Sequence, residues 1–107
     1  MRRGSIHWIN LGDISPPEFG KTRPGLVISN SVQNGILDSV VVVPLSTRPG
    51  EIWPLRLKLG GPDHKDSFAV LPGIRQVSKT RLVDFFEQAP AEFMTRLDEA
   101  LELYLTD

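Results

Sequence analysis

A chain of 107 residues has the length of one small domain, and residues 1–107 read as a single one. The chain has no cysteine, which excludes a disulfide scaffold, a thiolate nucleophile and Cys-based zinc or iron–sulfur sites, and its 40% hydrophobic content argues against disorder. The formal charge of −1 excludes a coating polyanion binder but hides a split: residues 1–81 carry a net +5, whereas residues 82–107 hold one Arg against seven acids, a net −6.

Nine Pro and nine Gly punctuate short apolar runs, the pattern of a small β-rich domain. The first predicted strand, residues 6–11, sets Ile6 and Trp8 on one face and His7 and Ile9 on the other. Residues 13–22 read as an exposed loop, because Pro16 and Pro17 remove donors from any ladder. A second strand covers 24–29, and Asn30, Ser31, Asn34 and Gly35 mark a turn region. Residues 39–45 make the strongest strand: the β-branched run Val40 to Val43 disfavours helix and predicts burial on both faces. After a turn-rich loop at 46–50, residues 52–59 alternate, with Leu55, Leu57 and Leu59 inward and Arg56 and Lys58 outward.

Residues 60–66 read as another loop. Short strands at 67–71 and 74–77 flank Pro72-Gly73, Ser78 caps one helical turn at 79–81, and residues 82–86 form the last strand. Pro90 then suits the first turn of a helix. Phe93, Leu97, Ala100, Leu101 and Tyr104 fall on one stripe, with Glu92 where the helix dipole favours an acid. The expected architecture is mostly β (β+α): a small antiparallel barrel of five to seven strands closed by a C-terminal α-helix that carries most of the acidic excess. A core this small would gain from a partner subunit. No apolar run reaches the ~18 residues of a membrane span. The opening Met1-Arg2-Arg3-Gly4 lacks a secretory stretch, so a cytoplasmic location is expected.

No metal site is predicted, since neither His7 nor His64 has a second ligand at useful spacing. His7 reads as a structural or surface residue and His64 as a weak acid–base candidate. Two strand-end clusters carry more. Glu18-Phe19-Gly20-Lys21-Thr22-Arg23-Pro24 places a carboxylate, an ammonium and a guanidinium at a strand entry. Pro24 pushes Arg23 towards an extended backbone, a setting in which a guanidinium can grip a phosphate. The plainer alternative is a solvated Glu18–Arg23 pair. Ser46-Thr47-Arg48 offers two hydroxyls and a guanidinium where the buried strand ends; its plainer alternative is an ordinary turn. Phe19 and Trp53 lie in or beside these loops and can stack bases, although Trp53 equally suits a core or an interface.

Taken in order, these segments resemble MazF/PemK-type toxins. Arg3-Gly4-Ser5-Ile6-His7-Trp8-Ile9-Asn10-Leu11 is similar to their opening strand, and Glu18 to Asn30 to their second segment. Val40 to Thr47 is similar to their strand ending in a hydroxyl pair. Ser67 to Leu71, Ile74-Arg75-Gln76-Val77 and Lys79-Thr80-Arg81-Leu82 follow their later strands. The resemblance covers roughly residues 2–105. It implies a homodimeric SH3-like barrel of the CcdB/PemK kind and the toxin of a toxin–antitoxin pair. It also implies cleavage of single-stranded RNA without metal or cofactor, by 2′-hydroxyl attack giving a 2′,3′-cyclic phosphate and a 5′-hydroxyl, and inhibition by an antitoxin's disordered acidic segment.

By that resemblance Arg23 stabilises the phosphorane, Ser46 and Thr47 orient the scissile phosphate, and Glu18 acts as base or positions the substrate. Phe19, Lys21, Arg48, Trp53 and Arg75 are the implied RNA contacts. Ser46 stands where Thr is usual and Phe19 where Gln is common. Pro72-Gly73 replaces an acidic-Gln pair whose acid assists proton transfer in some members. That change leaves the step to Glu18 or water, or leaves a member that binds antitoxin or RNA without cutting. A gyrase-inhibiting class shares the barrel but depends on a C-terminal Trp-Gly-Ile, and this chain ends Leu105-Thr106-Asp107.

Overall fold

The computed structural model describes residues 1–10, 22–60 and 67–107. The predicted loops at 13–22 and 60–66 therefore lie almost wholly outside the described residues, and with them Glu18, Phe19, Lys21 and His64.

Seven strands and two α-helices follow in the order β1 (Ser5–Asn10), β2 (Thr22–Val27), α1 (Ser31–Ile36), β3 (Ser39–Ser46), β4 (Arg56–Leu59), β5 (Ser67–Val70), β6 (Arg75–Ser78), β7 (Leu82–Gln88) and α2 (Ala91–Leu105). All pairings are antiparallel. The sheet runs β4-β5-β3-β2-β1-β7, and β6 adds to β3. It is curled, not closed: β4 and β7 are its ends. The 3-10 turn at Lys79–Arg81 leads from β6, beside β3, to β7, beside β1. Lys79 N donates to Asp38 O at 2.8 Å, and Arg81 Nη1 reaches Asn10 O at 3.4 Å, so this turn spans the curl. The Ser78 hydroxyl caps it as expected, accepting from Thr80 N at 3.3 Å.

The valine run explains why β3 is central. Val43 joins a core with Ile6, Leu26, Leu57, Leu59 and Leu71, while Val40 and Val42 join a second with Ile9, Val27 and Val77. Burial on both faces is what four consecutive apolar β-branched residues demand. Helix α2 lays Phe93, Leu97 and Ala100 into the first core, with Leu101 and Tyr104 half-buried beside them. At a fully buried position such as Leu97 that contact contributes about 1.5–3 kcal/mol. Arg3 anchors the helix: its Nε donates to Ile28 O at 2.7 Å and its Nη2 meets Asp98 Oδ1 at 2.6 Å.

Three local expectations are corrected. The turn region at 30–35 is helix α1, because Asn30 Oδ1 accepts from Val32 N at 2.7 Å and caps it. Asn34 is buried yet satisfied: its amide donates to Ser29 O at 3.0 Å and its oxygen accepts from the Ser29 hydroxyl. The single strand at 52–59 is broken. The chain turns at 53–55, where Pro54 brings no N–H, and both Leu55 N and Arg56 N donate to Ile52 O at 2.6 Å. Leu55 therefore stays 37% exposed while Leu57 and Leu59 are buried. Pro90 stands just before the helix as its N-cap residue, not within its first turn.

A candidate nucleic-acid cleft at the end of the central strands

Register brings the strand-end clusters to one end of the sheet. Arg23 pairs with Ile9 across β1–β2, and Gly25 pairs with Pro44 across β2–β3. Arg23 stands two residues before Gly25 and Ser46 two residues after Pro44, so both lie just beyond the last β2–β3 pair at this end of the sheet. On the other edge of β3, Val42 pairs with Arg75 of β6. A cleft of about 180 Å³ opens between these strands, with Arg23 and Arg75 on its walls and Ile9, Val42 and Pro44 along its floor.

Gly25 and Gly73 shape that floor. A Cβ on Gly73 would sit 2.6 Å from Pro44 Cγ, and one on Gly25 would sit 2.2 Å from Ile9 Cδ1. The Pro72-Gly73 pair thus has a packing reason: Leu71–Gly73 forms a 3-10 turn, and Gly73 lets it close on the Pro44 ring. Glycine at a strand position is the sequence sign of such close approach, and it was legible at Gly25. Among the described residues that line the cleft, the only ionisable side chains are Arg23 and Arg75. Both are exposed and, among the described residues, neither is held by an ion pair or a hydrogen bond. Two exposed guanidiniums on a shared hollow make an electropositive receptor whose side chains offer donors only.

Ser46 is half-buried and Thr47 exposed. The Ser46 hydroxyl accepts from Arg48 N at 3.1 Å, starting the loop that follows. The alternation over residues 52–59 predicts only an outward position for Arg56, yet this side chain organises the loop. Its Nε donates to Gly50 O at 2.9 Å, its Nη2 donates to Arg48 O, and its guanidinium carbon lies 5.6 Å from the centre of the Phe68 ring. Phe68 is in turn the β5 partner of Ser46. Nothing local in the sequence signals this clamp, since its partners are backbone carbonyls six and eight residues away.

Trp53 does not line the cleft. It lies under Arg96 of α2, 5.6 Å from ring centre to guanidinium carbon, in a group with Glu51. Glu51 binds Arg96 at 3.3 Å and accepts from Lys58 N at 2.7 Å; the Lys58 amide, and then Arg96, hold its carboxyl below the usual value. Because α2 packs on the first core and the cleft opens beside Ile9 and Val42 of the second, the sheet stands between the acidic helix and the cationic cleft. His7 sits on β1 with its Nε2 3.1 Å from Ser5 Oγ and its ring edge-on to Phe85. Burial, and then the positive amino terminus, lower its pKa. Among the described residues no group of three or more His, Asp and Glu is placed to hold a metal ion, and no helix is long and apolar enough to cross a membrane.

Known proteins share this fold. The family model described as PemK-like, MazF-like toxin of type II toxin–antitoxin system matches residues 2–105. The endoribonuclease EndoA of Bacillus subtilis is 28% identical over 109 residues, spanning 98% of this chain and 94% of that protein. The endoribonuclease MazF of Staphylococcus saprophyticus is 27% identical over 113 residues, spanning 98% and 91%. An endoribonuclease solved in complex with its cognate antitoxin, from a mycobacterial species, superposes with a TM-score of 0.83 at 25% identity, covering 100% of this chain and 98% of the other. MazF within a MazE–MazF crystal from Deinococcus radiodurans shares the fold with a TM-score of 0.82 at 21% identity, covering 99% and 97%. With an antiparallel curled sheet, a C-terminal helix and a match across nearly its whole length, the chain belongs to the PemK-like, MazF-like toxins of type II toxin–antitoxin systems.

Proposed function

We propose that this toxin is an endoribonuclease that cuts single-stranded RNA at the cleft between β2, β3 and β6. The observation that carries the reading is the pair of exposed guanidiniums, Arg23 and Arg75, which have no partner among the described residues and lie beside the strand end that bears Ser46 and Thr47. The ribose 2′-oxygen attacks the adjacent phosphorus, the bond to the 5′-oxygen breaks, and the ends left are a 2′,3′-cyclic phosphate and a 5′-hydroxyl. The 2′-hydroxyl proton passes to a base and the leaving 5′-oxygen takes up a proton. Arg23 stabilises the charge that grows on the equatorial oxygens, and the Ser46 and Thr47 hydroxyls orient the phosphate. Glu18, outside the described residues, is the proposed base. Lys21, Phe19 and Arg48 extend the RNA contact.

The Arg23 guanidinium supplies the charge stabilisation, and no step is assigned to a metal. Purified protein incubated with long single-stranded RNA in EDTA is expected to yield 5′-hydroxyl fragments. Intact RNA after exhaustive incubation sinks the nuclease reading. One observation favours a second reading, a member that binds without cutting: no carboxylate lines the cleft among the described residues. Expression of the chain alone separates the two, because a nuclease arrests growth and a pure binder does not. The partner proposed for either reading is an antitoxin whose acidic, unstructured segment competes with RNA for the same cations.

A further inference from the structure

We propose that the cleft between Arg23 and Arg75 is a slot for one guanine base neighbouring the phosphate that is cut, and that Arg75 selects it. The inference rests on the nuclease reading above and adds which base the site takes. The hollow measures about 180 Å³, enough for one flat ring system. Its floor of Ile9, Val42 and Pro44 carries no side-chain donor. Such a floor leaves phosphate oxygens desolvated and unpaired, but it suits the face of a base. Gly25 and Gly73 keep it smooth, since a Cβ on either would collide with Ile9 or Pro44.

The walls decide the edge. Arg23 and Arg75 offer only donors, and Pro24 has no N–H to add. No side-chain acceptor lines the slot among the described residues, so a base with an exocyclic amine directed at a guanidinium would leave that amine unpaired. Guanine sets two acceptors, O6 and N7, side by side on one edge, and this matches the guanidinium fork. Adenine sets an amine beside N7, cytosine sets an amine where guanine has O6, and uracil has a single carbonyl there. The two arginines divide the work by position. Arg23 shares the sheet end with Ser46, where the phosphate lies. Arg75 pairs with Val42, four residues back along β3 from Ser46 and about 13 Å at strand rise, so it lies farther from the phosphate than Arg23.

The test uses the full chain and single-stranded RNAs identical except for G, A, C or U at each position flanking the cut. Wild type is expected to favour guanine at one position by about tenfold or more in kcat/KM, and 7-deazaguanine there is expected to lose most of that factor. Arg75→Gln is expected to move the preference to adenine, whose N6 and N7 a carboxamide pairs bidentately, while Arg75→Lys keeps guanine with a smaller margin. Arg75 is exposed, and circular dichroism checks that each variant folds. Equal loss on all four bases in Arg75→Gln would show that Arg75 holds a phosphate, and the slot assignment is then wrong. A wild type that cuts without guanine preference also overturns it. If wild type cuts nothing, fluorescence titration with the same RNAs decides. A guanine preference in Kd that Arg75→Gln abolishes keeps the slot while the nuclease reading falls. No preference in Kd ends both.

Discussion

Arg23 shows how one side chain acquires a role from its surroundings. Pro24 constrains its backbone, Ile9 pairs with it across β1, and nothing among the described residues neutralises its charge. Arg23→Ala is expected to lower kcat by about 10²–10³-fold, the usual cost of one donor to developing negative charge, with the thermal midpoint little changed. Full cleavage by a folded Arg23→Ala protein removes the residue from the chemistry. Gly73 carries the opposite kind of constraint. The Pro44 ring cannot rotate out of the way of a new methyl group, so Gly73→Ala is expected to cost about 1–3 kcal/mol in urea denaturation and to narrow the cleft. His7 titrates below the usual imidazole value because it is partly buried and faces the amino terminus. An unfolded chain then binds its proton more readily than the folded one, so stability is present above the ordinary imidazole pKa and declines as pH falls through the lowered one. His7→Gln is expected to flatten the urea midpoint against pH in that window. An unchanged slope clears His7 of the effect.

At the scale of elements, the loop after β3 holds the hydroxyls proposed to orient the phosphate, and the last helix covers the first core. Arg56 holds the carbonyls of Arg48 and Gly50 from the neighbouring strand β4. Arg56→Ala is expected to leave the cores intact while the loop bearing Thr47 loosens, with a fall in kcat of up to about 10²-fold from misplacement. A drop in the melting temperature with kcat unchanged would make Arg56 purely structural. Helix α2 was legible from its stripe: Phe93, Leu97 and Ala100 are the residues the structure buries. Helix α1 was not, because its six residues bury no apolar side chain, and the residue it does bury, Asn34, is satisfied by Ser29. The break at residues 53–55 escaped the alternation pattern for a similar reason. Period-2 patterning continues through a turn when the residues on either side keep their faces.

For the whole molecule, the acids of α2 and the two cleft arginines lie on opposite sides of the sheet, the helix over one core and Arg23 and Arg75 beside the other. RNA affinity is therefore expected to depend on the cleft cations despite the net −1. With Arg23 as the one phosphate contact of the cleft, a slope of about −0.7 predicts roughly two- to threefold weaker binding between about 50 and 200 mM salt, and a Kd flat in salt contradicts the charge reading. We propose that the toxin is a homodimer. The core is small, and β7 ends the sheet with Val83, Phe85 and Phe86 exposed. Light scattering at micromolar concentration is expected to give twice the chain mass, and a monomer overturns it.

The sequence by itself determined the central valine strand, the acidic amphipathic helix, the capped turn at Ser78 and the ordered motifs that place the chain in its family, since each depends on local periodicity, capping or residue order. The tertiary structure alone decided that Arg23 and Arg75 share one cleft, that Gly73 closes on Pro44, that Arg56 fastens the hydroxyl loop, and that Trp53 belongs with Arg96. These depend on strand register and on how the sheet curls. Both arise from contacts between residues far apart in the chain, and no local pattern records them.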